Sequence, residues 1–466
     1  MTQFEKAASP MPRRVLLVSH DIAGPLMAGP GIRYVHLARV LANHAEVTLA
    51  IPHESPGKPA GEPFRIERYD RAAWPSLAPH VEACDICVFP SDIAGTFPQL
   101  AQSAAYLVVD GYDPLLAEWL AIHGRGDPDA LAADWRDRLA QLQRQYTLGD
   151  FYICASERQR DWWLGLLEAN GRVNPAAYAA DPSLRMLIDV VPYGLPDAPP
   201  QHTRPVVKGV WPGIGPHDKL LLWGGGLWSW LDPVTAIEAV RRVAAQRPDV
   251  RLIFPGTRHP NPELRNLPGQ LRNARAAAQE AGLLDTVVFF GDWVPYADWA
   301  NLLLECDVAL SLHFDTLETR LAFRSRVLEY IWAGLPIVAS EGDAAAEMVA
   351  RYALGRVVRY NDAGGAAEAI LALLDAKQDD RPGFAAAVEE LNWTRAAAPL
   401  IAYCRSPWRA ADKGASNVYS PSLMAQLEQE RAHYEALIRG YESGRFMRLM
   451  RWIERRRRRF RRSPKS

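Results

Sequence analysis

Arg320, Arg324, Arg326 and Glu329 crowd one short stretch of the chain. Fork-shaped guanidinium donors beside a helix N-terminus add to the unpaired backbone N–H groups there and make an anion site. Phosphate is the expected anion. A solvated arginine face is the competing reading. The elements that would position the cluster lie between Thr319 and Glu347, TRLAFRSRVLEYIWAGLPIVASEGDAAAE. Phe323, Val327, Leu328 and Ile331 recur at helical spacing, and Ala333-Gly334-Leu335-Pro336 stops that helix. Ile337–Ala339 is a short buried strand with polar residues beyond its C-terminal end, where open α/β sheets bind ligands.

A chain of 466 residues is long enough for two domains with separate cores and an appendage. Its 48% hydrophobic and 23% charged residues place it among globular proteins rather than disordered ones. No apolar run reaches the length of a membrane span, and residues 1–10 lack a signal-peptide pattern, so a cytoplasmic location is expected. Five cysteines stand mostly in apolar, strand-like contexts; Cys84 and Cys87 form a CxxC without a second pair, expected to be reduced core thiols. No Asp-x-Asp pair suggests a metal-bound diphosphate, and no metal or cofactor is expected. The net charge of −1 hides an asymmetry: residues 445–466 hold ten arginines and one lysine against one glutamate. The tail is basic, and the body is acidic.

Arg14–His20 reads as a first strand and Glu46–Ile51 as a second, with Gly29-Pro30-Gly31 as a tight turn before the helix between them. The turn lacks the third glycine of a dinucleotide fingerprint; it receives a phosphate or an acceptor sugar, or it serves close packing. Further strands are expected at Ile86–Phe89, Tyr106–Val109, Phe151–Ala155 and Asp189–Pro192, alternating with helices in a doubly wound parallel sheet. His20, Gly29, Gly31, Asp113 and Glu118, at strand ends of this half, are the acceptor-side candidates. Asp at a helix start is often simply a cap.

The proline-rich stretch from Tyr193 to Pro200 marks a domain boundary, and the pattern restarts. Lys219–Trp223 ends in Gly224-Gly225-Gly226, where backbone amides are free to approach an anion. Val250–Phe254 ends in Pro255-Gly256-Thr257, Thr286–Phe290 in a loop reaching Val294, and Asp307–Leu312 leads through His313 and Asp315 into the arginine loop. Four polar or glycine-rich strand ends on one edge point to a nucleotide-like ligand.

Two Rossmann-like halves, a proline-rich linker and SRVLEYIWAGLPIVASEGDAAAE resemble a GT-B-fold glycosyltransferase, and more closely the retaining enzymes of glycosyltransferase family 4. DGYDPLLAE and VPYGLP look like relatives of the same kind, and the resemblance covers roughly residues 14–405. It implies an α/β fold of two doubly wound domains facing across a cleft, with a helical basic tail. The implied divisions are 1–13 tail, 14–196 acceptor domain, 197–216 linker, 217–390 nucleotide-sugar donor domain, 391–414 crossover helix and connector, and 415–466 helical tail. By the family pattern Glu329 holds the ribose hydroxyls, Gly225 and Gly226 pack amides against the diphosphate, and Phe323 lies near the donor sugar. Gly224, Gly256, Thr257, Val294, His313, Arg326, Asp343 and Glu347 complete the expected donor side. The sequence departs from the pattern twice. The second glutamate of the family falls on Leu321, for which Glu318 is the nearest substitute. The cation clamp after the glycine strand is missing from GGGLWSWLDP. Arg320 and Arg324 are therefore expected to compensate the diphosphate, as catalytic residues with Glu329.

The expected activity is retaining transfer of a sugar to a lipid-linked or surface-polysaccharide acceptor. An epimerase-like enzyme or a degenerate binding subunit are the alternatives. Arg445, Phe446, Arg448, Leu449, Arg451 and Trp452 belong to a basic amphipathic end suited to an anionic membrane face. Nucleic acid is the rival polyanion, and is not expected with such a body.

Overall fold

The computed structural model describes residues 13–413, apart from Ala60, Asn266, Pro268 and 377–381, together with Glu430, His433, Tyr434 and Leu437. The amphipathic end from Arg445 to Trp452 lies outside the described residues.

Two parallel sheets carry the chain. The first holds seven strands: β1 (Arg14–Val18), β2 (Glu46–Pro52), β3 (Arg65–Tyr69), β4 (Ile86–Pro90), β5 (Tyr106–Asp110), β6 (Phe151–Cys154) and β7 (Ile188–Val190), in the order 3-2-1-4-5-6-7. The second holds β8 (Lys219–Leu222), β9 (Val250–Phe254), β10 (Val288–Phe290), β11 (Val308–Ser311), β12 (Ile337–Ser340) and β13 (Gly355–Val358), in the order 10-9-8-11-12-13. Runs such as VLLV, ICVF and VALS are buried on both faces, as strands covered by helices on each side must be. In each sheet the order reverses beside the first strand, between β1 and β4 and between β8 and β11, and ligands bind at such switch points.

Edge strands β3 and β13 are additions to the expected set. RIERY and GRVV pair on one side only and stay half exposed, so neither carries a buried apolar run. Gly29-Pro30-Gly31 is not a turn before a helix but the first turn of the helix Gly29–Ala42, with proline at its start. Gly31 serves close packing: a Cβ there would lie 2.2 Å from the Ile22 carbonyl oxygen. Gly31→Ala is expected to destabilise the first domain by about 3 kcal/mol, as overpacking against fixed backbone does, read as a lowered denaturation midpoint.

The segment 197–216 is docked rather than free. Glu305 accepts the backbone N–H groups of Val206, Val207 and Lys208, and Val207 is fully buried. Beyond Leu391 the chain returns to the first domain. Trp393 stacks on His36 with ring centres 5.2 Å apart, and Tyr403 stacks on Phe151 at 4.8 Å. Cys84 and Cys87 are free thiols, Cys87 buried in β4. None of the described helices is long and apolar enough to cross a membrane.

Candidate functional site

A cavity of about 590 Å³ lies between the two sheets' C-terminal edges, within the range of small-ligand sites. Two helix N-termini converge on it: a Cβ at Gly29 would lie 2.8 Å from the Ser325 hydroxyl oxygen, which starts the helix Ser325–Trp332. Their dipoles both present positive ends there. Of the expected residues, His20, Gly29, Asp113, Glu118, Gly225, Gly226, Val294, Phe323, Arg324, Arg326 and Glu329 line this cavity.

On the second-domain wall, Gly225 takes a φ of +76°, open to glycine at no steric cost, and turns the loop so that the Arg326 guanidinium lies beside it. Arg326 donates from Nη2 to the Gly226 carbonyl at 3.2 Å, while its buried Nη1 has no hydrogen-bond partner among the described residues. Burial lowers its pKa, since desolvation penalises the cation. Glu329, one turn further on, accepts from the Trp299 indole at 2.9 Å and the Tyr193 hydroxyl at 3.2 Å. Burial lifts its carboxyl to about 7, against the pull of those two donors and of Arg326.

Arg324 is placed differently from the expectation. Its fork is closed on Glu318 at 2.7 and 2.8 Å, its Nε faces Asp343 at 3.4 Å, and all three side chains are buried. A guanidinium so paired is spent on the protein's own carboxylates rather than free for a diphosphate. Arg320 is exposed and off the cavity lining, whereas Arg326 lines the cavity without an ion-pair partner among the described residues. Leu321, at the place of the absent family glutamate, is buried. Glu318 does reach the cavity, with Arg324 as its partner.

Several donor-side candidates do not line the cleft. Asp343 caps the helix Ala344–Arg351 through the Ala346 N–H at 2.7 Å. Glu347 is exposed and paired with Arg158. His313 is buried beneath the loop, close to Asp343 at 3.8 Å, and burial with Arg324 nearby lowers it to about 3. Gly224 donates its N–H to the Tyr330 hydroxyl, and Gly256 and Thr257 line a neighbouring cavity that shares Gly226 and Trp228 with the main one. Asp343 and Gly224, both just past strand ends, show that such positions serve capping and packing as readily as a ligand.

On the first-domain wall, His20 after β1 and Asp92 after β4 straddle the switch point, with Nδ1 and Oδ1 3.0 Å apart. Asp113 lies 3.7 Å from the other ring nitrogen. Burial opposes a charged ring, but Asp92, Asp113 and Asp21 outweigh it and raise His20 to about 10. The surrounding carboxylates thus favour its charged form. Burial and the neighbouring Asp110 and Asp92 lift Asp113 to about 6 despite His20, and Glu118 stands well above the usual carboxylate range.

The cavity also has walls that the sequence did not announce. Trp228 and Trp230 stack at 5.7 Å, His259 packs on Trp228 at 5.5 Å, and Trp293 on His259 at 5.1 Å. The stretch after β9 crosses to the other domain, where Asn261 donates to Asp21 at 2.9 Å and Glu263 pairs with Arg71 at 2.8 Å. The only local signal there was Asn-Pro-Glu, a short cap. Among the described residues no group of three or more His, Cys, Asp or Glu is placed to hold a metal ion.

Glu329 gives a pH prediction. Its folded pKa is raised above the unfolded value, so its contribution to stability is complete below about 4.5 and is lost as pH rises through about 7. Glu329→Gln is therefore expected to raise the melting temperature at pH 8 and to leave it unchanged at pH 4.5, measured by calorimetry.

Residues 218–376 match the family model described as glycosyl transferases group 1. No curated protein matches the sequence. Among solved structures, the sucrose-phosphate synthase of Thermosynechococcus elongatus is 18% identical with a TM-score of 0.57, over 83% of this chain and 97% of that one. WaaG, a glycosyltransferase involved in lipopolysaccharide biosynthesis, is 16% identical with a TM-score of 0.54, over 88% and 100%. HepE of Anabaena, solved with UDP and glucose, is 14% identical with a TM-score of 0.51, over 84% and 97%. Identities this low speak for fold: two Rossmann-like domains in the GT-B arrangement.

Proposed function

From a GT-B fold whose second domain matches glycosyl transferases group 1, we propose that this chain is a retaining, metal-independent hexosyltransferase using a nucleotide-sugar donor. Its acceptor is a lipid-linked or cell-surface polysaccharide, reached at the cytoplasmic face of the membrane. The observation that carries the proposal is Arg326, a cation on the Gly225–Gly226 loop with no ion-paired carboxylate among the described residues, with Glu329 one turn away.

In the proposed reaction the bond from the sugar's anomeric carbon to the β-phosphate oxygen breaks, and its electron pair leaves with the diphosphate. The acceptor hydroxyl oxygen bonds to that carbon on the same face, and its proton passes to the departing phosphate oxygen. Arg326 and the converging helix N-termini face the growing negative charge, which is where a preorganised site gains most. Glu329 accepts the ribose hydroxyls, held by Trp299 and Tyr193. His20, Asp113 and Glu118 orient the acceptor across the cavity.

A thermal-shift screen against UDP, GDP, ADP and TDP and their common sugars tests the reading. One nucleotide family should raise the midpoint, and the rise should vanish in Glu329→Ala. No shift with any of them overturns the donor-site assignment.

A further inference from the structure

The arginine loop is held from the opposite domain by hydrogen bonds to three of its backbone carbonyls. Arg158 donates from Nη1 to the Arg320 carbonyl at 3.1 Å, Gln159 from Nε2 to the Leu321 carbonyl at 2.8 Å, and the Tyr112 hydroxyl to the Phe323 carbonyl at 2.8 Å. The first two are end carbonyls of the short helix Leu317–Leu321, and the third lies just beyond it. Helix-end carbonyls have no partner within their own helix. We infer that Tyr112, Arg158 and Gln159 are positioning residues: from the opposite domain they fix the loop that leads into the helix carrying Arg326 and Glu329.

Each of the three is itself held. Gln159 is 1% exposed; its Oε1 accepts the Ala155 N–H at 2.7 Å, and its Nε2 also donates to the Tyr112 carbonyl at 2.8 Å. Both amide hydrogens are thereby committed, one within the first domain and one across the cleft. The Tyr112 ring lies under the Arg33 guanidinium at 4.5 Å, and Arg33 is buried in a two-pronged pair with Asp110. Arg158 also reaches the Gly342 carbonyl at 2.6 Å and pairs with Glu347. The grip thus stands just beyond the C-terminal ends of β5 and β6, and its hydrogen bonds go to the backbone of the loop. Phe323, with its carbonyl fixed, lies edge-on to Tyr112 at 6.4 Å, and Arg324 and Arg326 follow within three residues.

The inference takes its catalytic meaning from the proposed transferase activity, but its structural half is read without any nucleotide. Tyr112→Phe and Gln159→Met each remove cross-cleft donation while keeping bulk. In hydrogen–deuterium exchange, residues 318–330 of each variant are expected to exchange about tenfold faster, one hydrogen bond's worth, with the rest of the second domain unchanged. With the nucleotide sugar identified by the thermal-shift screen, kcat should fall about tenfold while KM stays within about threefold, because the donor contacts lie in the second domain. Unchanged exchange at 318–330 overturns the inference, as does faster exchange spread evenly over both domains. A wild-type protein that binds no nucleotide sinks the proposed activity instead, and leaves the exchange result standing.

Discussion

Arg326→Ala is expected to weaken nucleotide diphosphate binding by about 10- to 100-fold, the worth of one charge-assisted hydrogen-bond pair. Turnover should drop further, by about 10²- to 10³-fold, because the guanidinium meets more charge on the leaving diphosphate than on the bound donor. The ligand-free protein should be no less stable, and its melting temperature should hold or rise. Among the described residues Arg326 has a single bond to a carbonyl and no ion-paired carboxylate, and burial lowers its pKa. Removing a buried cation whose desolvation outweighs the pull of Glu329 and Glu318 relieves a penalty. Isothermal titration with the nucleotide from the screen, beside calorimetry of the free protein, reads both halves. A variant that loses stability and keeps affinity would make Arg326 structural. Arg326→Lys is expected to fall between the two, since an ammonium is a point charge without the planar fork.

That outcome separates three arginines which the sequence presents as one cluster. Their nearness to a helix start was readable from the spacing alone, and so was the short strand that follows. Which of them is free was not. Arg324 is closed by Glu318 six residues earlier and by Asp343 nineteen residues later, and only the fold brings that second carboxylate back. The central strands were legible because a strand covered on both faces must be a continuous apolar run. The edge strands β3 and β13 have no such requirement, and their charged residues hid them. GGGLWSWLDP carries no cation, and the structure shows two stacked tryptophans from it facing the cavity. No local pattern announces contacts such as Asn261 to Asp21, whose partners are 240 residues apart.

Arg324→Ala is expected to be chiefly a stability variant, in contrast to Arg326→Ala. Glu318 is 2% exposed and Asp343 1%, and both face Arg324. Truncating the arginine leaves two carboxylates without their cation, and breaking a buried pair from one side costs about 3–5 kcal/mol. For the second domain that is a fall of roughly 10 °C in the melting temperature. Its pH dependence identifies the cause. Burial already raises Glu318, and Arg324 opposes that rise, so removing Arg324 lifts the folded-state pKa further above the unfolded one. A group raised in this way stabilises below its unfolded pKa and loses that contribution as pH rises through its folded pKa. The deficit of the variant should therefore be largest at pH 8 and shrink toward pH 5. Glu318→Gln in the Arg324→Ala background should recover part of the loss at pH 8, because one of the stranded charges is gone. A deficit equal at both pH values would mean that Arg324 acts through packing rather than charge. An Arg324→Ala protein of wild-type stability would show that the loop draws nothing from this triad, and would return Arg324 to the candidates for holding a diphosphate.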